Sequence, residues 1–318
     1  MRVALLLLLL GLTGLACADD LQGFVVNVDE ENDLFVVPET DKHYTQGLHL
    51  TFLWPDDDLP FHFGPLNRVP VLGMTDVIRK YGFQVGQNIY TPVDIITNQP
   101  SLTDRPYAGW LWLGLIRDTR GVTAGTIPTL DHLQLDLGVV GPDSLADDSQ
   151  TWFHGLIQIH EPSGWKYELK SEPGLALRFN RRWLLWDTGD QAGLRAQLIP
   201  NFGANLGNID TSANLGALMR VGHNIPDDFG KHIEPAWGWY VFNGVAGHGV
   251  LRNEFLDGDL FYRSRSVAKE PAFVEWRCGL VVELQQMEIS YTYNYHSPEF
   301  KLQNKYDAFG SLDVTYRF

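Results

Sequence analysis

The sequence predicts an all-β chain, a transmembrane antiparallel β-barrel of about twelve strands with a short helix in an extracellular loop. Three observations carry that expectation. Long stretches alternate apolar and polar residues with period two. No apolar run beyond the N-terminus approaches the ~18 residues a membrane helix requires. The chain also ends in "SLDVTYRF", where Leu312, Val314, Tyr316 and the final Phe318 share one face.

The elements follow in order. Arg2, the apolar run Val3 to Leu10 and the small residues Ala16-Cys17-Ala18 read as a secretory signal peptide over 1–18. Residues 19–318 then form one outer-membrane barrel domain. Candidate strands fall near 22–36, 43–54, 82–90, 106–118, 129–140 and 173–187, then 190–205, 212–223, 234–248, 270–285, 286–298 and 308–318. Val274, Trp276, Cys278, Leu280, Val282 and Leu284 alternate with Glu275, Arg277, Gly279 and Glu283. Charge on the second face suits a polar lumen better than a dry sandwich core. With the first strand running outward, loops near 91–105, 141–172 and 249–269 lie outside, and the turns near 188 and 285 lie inside. The stretch 55–81 is long for the inner side and reads as a periplasmic excursion.

Composition narrows the function. A net charge of -15 argues against nucleic-acid binding. Only Cys17 and Cys278 occur, so the mature chain has no disulfide framework and Cys278 reads as a small hydrophobe.

The polar groups converge on the outer rim. Asn32 and Asp33 end the first strand, His43 begins the second, and Asp104-Arg105 precedes the fourth. In the loop "GPDSLADDSQTWFHGLIQIHEP", Asp143 and Ser144 are N-cap candidates and Pro162 closes the helical stretch. Helical spacing sets Asp147, Gln150 and His154 on one face, with Leu145, Trp152, Phe153 and Leu156 on a broad apolar side. A histidine so flanked can be held as a general base. Oxygen donors at Asn32 and Asp33 suit calcium better than zinc. No G-x-S-x-G or H-E-x-x-H motif is present, so activated water is the nucleophile the residues allow. Each group also has an ordinary reading: Asn32-Asp33 as a turn, His154 as a packing residue, His43 as lumen lining, Asp104-Arg105 as a salt-bridged loop entry.

These landmarks resemble the outer-membrane lipid A 3'-O-deacylase family. The matching stretches are "ENDLF" (31–35), "TDKHYTQG" (40–47), "GQNIYTP" (86–92), "DRPYAGW" (104–110), "GVVGPDSLADDSQTWFH" (138–154), "EPSGW" (161–165) and "RNEFLDGDLF" (252–261). The resemblance implies calcium-dependent hydrolysis of the 3'-linked acyloxyacyl chain of lipid A, at a site between the barrel wall and a loop helix. It implies that Asn32 and Asp33 lie near the calcium, that His154 is the base with Gln150 one turn before it, and that Glu161 is a further acidic ligand. It leaves roles for Lys42 and Thr45 open. The implied partner is lipopolysaccharide of the outer leaflet, with no obligate protein partner. An outer-membrane phospholipase and a non-catalytic porin-like barrel are the alternative readings.

Overall fold

The computed structural model describes residues 23–36, 42–56, 64–189, 193–229 and 237–318. The expected signal peptide lies outside them. The strands are β1 (Val25–Asn32), β2 (His43–Pro55), β3 (Met74–Thr91), β4 (Ala108–Thr123), β5 (Ile127–Val140), β6 (Glu172–Trp183) and β7 (Trp186–Asp187). They continue as β8 (Arg195–Gly207), β9 (Asp210–His223), β10 (Trp237–Asn253), β11 (Ala272–Leu284), β12 (Met287–His296) and β13 (Asp307–Arg317). The α-helices are α1 (Gly64–Asn67), α2 (Ala146–Ile157) and α3 (Glu254–Asp257).

Neighbours in sequence pair antiparallel around the sheet, β1 pairs with β13, and β6 pairs with β8. The result is a closed barrel of twelve strands, with β7 a two-residue stub on β8. Closure leaves no exposed edge, which a sheet in lipid cannot tolerate. Among the described residues no helix is long and apolar enough to cross a membrane. The spanning elements are strands.

Period-two patterning sorts the two faces. Leu48, Val85, Leu113, Leu137, Leu215 and Leu280 are exposed and form the lipid side. The opposite face builds a polar lumen. Gln134 Nε2 donates to Gln84 Oε1 at 3.0 Å and to Asp136 Oδ1 at 2.6 Å, and Arg178 Nε donates to Asp136 Oδ2 at 2.6 Å. His49 bonds Asp29 at 3.2 Å and Asn88 at 2.9 Å. His49 and His132 thus fill the lumen, as their polar strand faces suggest. At the inner rim, Phe24 packs on Phe52, Trp54 and Phe318, giving the terminal aromatic a partner.

Several boundaries depart from expectation: β4 runs on to Thr123 and β10 to Asn253, and β8 starts at Arg195. β3 begins at Met74, so the inner connection is 56–73 and not 55–81. A bulge between Thr75 and Ile78 breaks the alternation there, and Arg79 and Lys80 border the lumen cavity. The stretch 173–187 also divides, because the chain leaves the sheet after Trp183 and returns only as β7.

Candidate active site

The outward register of β1 reads Val26, Val28, Glu30, Asn32: it turns polar near the outer rim. Glu30 accepts from Gln46 Nε2 at 3.0 Å on the same face. A one-turn 3-10 helix, Asp33–Phe35, then turns the chain over. Asn32 Oδ1 caps it by accepting from Leu34 N at 2.9 Å, and Asp33 Oδ2 accepts from Lys42 N at 2.8 Å. Both side chains are buried. Short-range backbone donors therefore fix the orientation of Asn32 and Asp33.

A transverse row leads from this turn to the loop helix. Asn32 is paired with Gln46, Gln46 with Ile89, and Ile89 with Gly109, across β1, β2, β3 and β4. Val85 and Leu113 on this face are 43% and 49% exposed, yet Ile89 is 1% exposed. It is covered from the lipid side by a cluster of Ile95, Tyr107, Trp165 and Ala146, the first residue of α2. Gln87, on the same face, donates to the Ser144 carbonyl at 2.7 Å. Gly109 leaves the space that Ser144 and Ala146 occupy, since a Cβ there would lie 2.3 Å from the Ala146 Cβ. α2 thus rests on the outside of the barrel wall.

Its buried stripe is Ala146, Gln150 and His154, one residue per turn. Trp165 Nε1 donates to Gln150 Oε1 at 2.9 Å, locking the amide. His154 Nδ1 lies 2.5 Å from the His160 carbonyl oxygen. A carbonyl only accepts, so Nδ1 carries the proton and Nε2 is the basic nitrogen of the neutral ring. The chain reaches this bond through Gln158, whose φ of 62° sharply ends the helix. Leu145, Trp152 and Leu156 face away from the wall and are exposed.

Several expectations for this loop are corrected. Neither Asp143 nor Ser144 caps α2: the N-cap is Leu145, left-handed at φ 59°, without a side-chain bond. Ser144 is unavailable because it is wedged against Gly109. Asp147 does not share the stripe of His154; it is exposed and accepts from Thr151 at 3.2 Å. The His160 carbonyl orients the imidazole instead. The helix ends at Ile157, ahead of Pro162.

Glu161 is exposed beyond the helix, whereas Glu168 is drawn toward it. Burial, reinforced by the charge of Asp147, pushes the Glu168 carboxyl up to about 8. Thr45, at the bulge in β2, bonds Thr91 at 2.7 Å and is buried.

His43 belongs to a different assembly. Its Nδ1 lies 2.6 Å from Asp307 and its Nε2 3.2 Å from Asp104, and its ring meets Phe300 edge-on. Arg105 pairs with Glu299 at 3.7 Å and stacks over Tyr90. Burial alone would raise Glu299, but the His296 hydrogen bond and the Arg105 charge hold it down to about 2. These contacts tie the start of β2, the β3–β4 loop and the β12–β13 connection together, so Asp104-Arg105 is a structural loop entry. Sequence reasoning missed Glu30, Gln46, Gln87, Trp165 and the His160 carbonyl. Only Glu30 left a signal, as the break in the apolar register.

The family model described as "Outer membrane protein LpxR" matches residues 3–318. LpxR from Salmonella typhimurium superposes with a TM-score of 0.72 at 18% identity, covering 92% of this chain and 100% of that one. The β domain of the Bordetella autotransporter Brka is more remote, with a TM-score of 0.50 at 9% identity over 94% and 100% of the two chains. No curated protein matches the sequence. A match spanning almost the whole chain, on a barrel of the same architecture, makes this protein a member of the LpxR family of outer membrane proteins.

Proposed function

We propose that the protein is a lipid A 3'-O-deacylase, hydrolysing the ester of the 3'-linked acyloxyacyl chain in the outer leaflet. The observation that carries this reading is a buried histidine, fixed in one tautomer, on a helix lying against the lipid-facing wall. A lumen-directed histidine would serve no membrane ester.

His154 Nε2 takes a proton from water as the oxygen attacks the ester carbonyl. The tetrahedral intermediate then expels the sugar oxygen, which takes the proton back from the imidazolium. The Gln150 amide, whose oxygen accepts from Trp165, stands one turn before the histidine on the same buried stripe. The stripe from Ala146 to His154 extends about 12 Å at helical rise. That is comparable to the ~10 Å between β1 and β3, so a helix directed from β3 toward β1 would bring both sets of groups to one acyl linkage.

Asn32 and Asp33 offer oxygen donors only, one of them a buried carboxylate, which fits a hard cation. Calcium held there would supply Lewis-acid polarisation of the ester carbonyl. Exposed Glu161 fits that donor set less well than the buried Asp33.

The test is mass spectrometry of lipid A from cells expressing the wild type, His154→Ala and Asp33→Ala, with phosphatidylethanolamine vesicles as a second substrate. The wild type should remove the acyloxyacyl mass and spare the phospholipid. His154→Ala should lose activity by roughly a thousandfold. Undiminished deacylation in both variants would refute the assignment.

A further inference from the structure

His43 stands apart from α2, yet its contacts lead there. It opens β2 in the left-handed conformation, at φ 63°, and is 4% exposed. A residue other than glycine persists in that region only where its surroundings hold it. Those surroundings are two carboxylates: Nδ1 lies 2.6 Å from Asp307 and Nε2 3.2 Å from Asp104. Each carboxylate is aimed by its own loop. Asp307 accepts from Gln303 Nε2 at 2.9 Å, and Asp104 accepts from Val93 N and Arg105 N, both at 2.8 Å.

A carboxylate only accepts, so a ring with one on each nitrogen holds both protons and a positive charge. A neutral ring has a single N–H. It serves one carboxylate and turns a lone pair toward the other, and the longer contact, to Asp104, is the one that fails. The other charges at this mouth are engaged with one another. Arg105 answers Glu299 at 3.7 Å, His296 lies 3.7 Å from Glu299 and 3.9 Å from Glu275, and Arg265 of the β10–β11 loop donates to the Pro100 and Ser101 carbonyls.

From Asp104 the contacts run to the loop helix. Tyr107, three residues on and fully buried, sets its ring 4.9 Å from that of Trp165. Its carbonyl accepts from Leu169 N at 3.0 Å, and the Ile95 carbonyl of the same loop accepts from Ser163 N at 2.8 Å. Gly164 lies so close that a Cβ there would be 2.3 Å from the Tyr107 ring. Trp165 Nε1 then donates to Gln150 Oε1 at 2.9 Å, one turn before His154. The β3–β4 loop is thus the seat of the residue that holds the Gln150 amide.

We propose that His43 is a positioning residue for the α2 site: as an imidazolium it pins Asp104 and seats Tyr107 against Trp165, and on losing a proton it frees the β3–β4 loop and loosens the Trp165–Gln150 bond. The inference rests on the reading of α2 as the place of ester hydrolysis. It sets opposite demands on two histidines. His154 must be neutral to act as base, whereas His43 must be charged to hold the loop, so activity rises with pH through the first and falls through the second.

The experiment uses the full chain folded in detergent, in a Glu168→Gln background that removes the carboxyl titrating beside α2. Nitrogen NMR of the histidines, with His43 identified by His43→Asn, should show both of its ring nitrogens protonated at neutral pH. The Trp165 indole N–H resonance, assigned through Trp165→Phe, should move upfield as His43 loses its proton. Any shift owed to His154 is common to all variants. In His43→Asn, a side chain that tolerates the left-handed backbone, the His43 step should vanish. Lipid A deacylation at neutral pH should then fall by about tenfold and show no alkaline decline. Asp104→Asn, whose amide can meet either ring state, should also lose the step but retain more of the neutral-pH activity. Heat-modifiable gel mobility reports the folding of each barrel. A neutral ring beside a protonated Asp307, or an indole step unchanged in folded His43→Asn and Asp104→Asn, would overturn the proposal. A wild type that leaves lipid A intact while its indole still follows His43 counts against the deacylase reading alone.

Discussion

The lumen and the outward notch beneath α2 are both polar and buried, but their partners differ in kind. In the lumen, side chains of opposite charge meet directly: Arg178 with Asp136 at 2.6 Å, His132 with Asp118 at 2.7 Å, Arg317 with Glu288 at 2.7 Å. Among the outward candidate groups, Asn32 and Asp33 on the β1 turn accept backbone N–H groups, while on α2 Gln150 accepts an indole N–H and His154 donates to a carbonyl. The lumen groups neutralise one another. The backbone and indole contacts of the outward groups fix their orientation.

That contrast can be broken at its geometric root. Gly109→Leu drives a side chain into Ser144 and Ala146 and lifts α2 from the wall. Lipid A deacylation should fall by about a hundredfold, as expected for a misplacement near 1 Å, with the lumen pairs and gel mobility unchanged. The opposite result, normal turnover with a displaced helix, would detach the chemistry from α2.

Asp136→Asn attacks the other side of the comparison. It weakens a charge-assisted bond to Arg178, and the urea midpoint of the barrel in vesicles should drop by the equivalent of about 1.5 kcal/mol. Activity per folded molecule should not change. A matching loss of turnover would mean that the lumen takes part in the reaction.

The smallest effect concerns pH. Glu168 is raised from 4.5 to about 8, so its contribution to docking the loop is fully present below 4.5 and is lost as pH rises through about 8. Hydrogen exchange of α2 amides should quicken gently over that window, and Glu168→Gln should flatten the slope. An unchanged slope would place the titrating group elsewhere.

The barrel was legible where lipid and lumen impose strict alternation, as on β11 and on the terminal β13. It blurred where the chain leaves that regime, at the bulged start of β3 and at the break after Trp183. Asn32, Asp33, Gln150 and His154 were singled out by rim convergence and family landmarks, and the structure buries all four. The face of α2 could not be read there, because Asp147 and Ala146 are adjacent and helical periodicity does not say which meets the wall. Ile89 and Gly109 decide it, from strands far away in sequence. The orientation of His154 was equally hidden, since its partner is a backbone oxygen.

The pairing of β1 with β13 carries one more consequence. Asn32 sits opposite Gly310, and Tyr291 on the neighbouring strand β12 donates to the Phe35 carbonyl within the same turn. Zipping the first strand to the last is therefore also the event that completes the surroundings of the Asn32–Phe35 turn. A chain still in transit, with its ends apart, has both halves of this turn but not their contact, which forms only when the barrel closes.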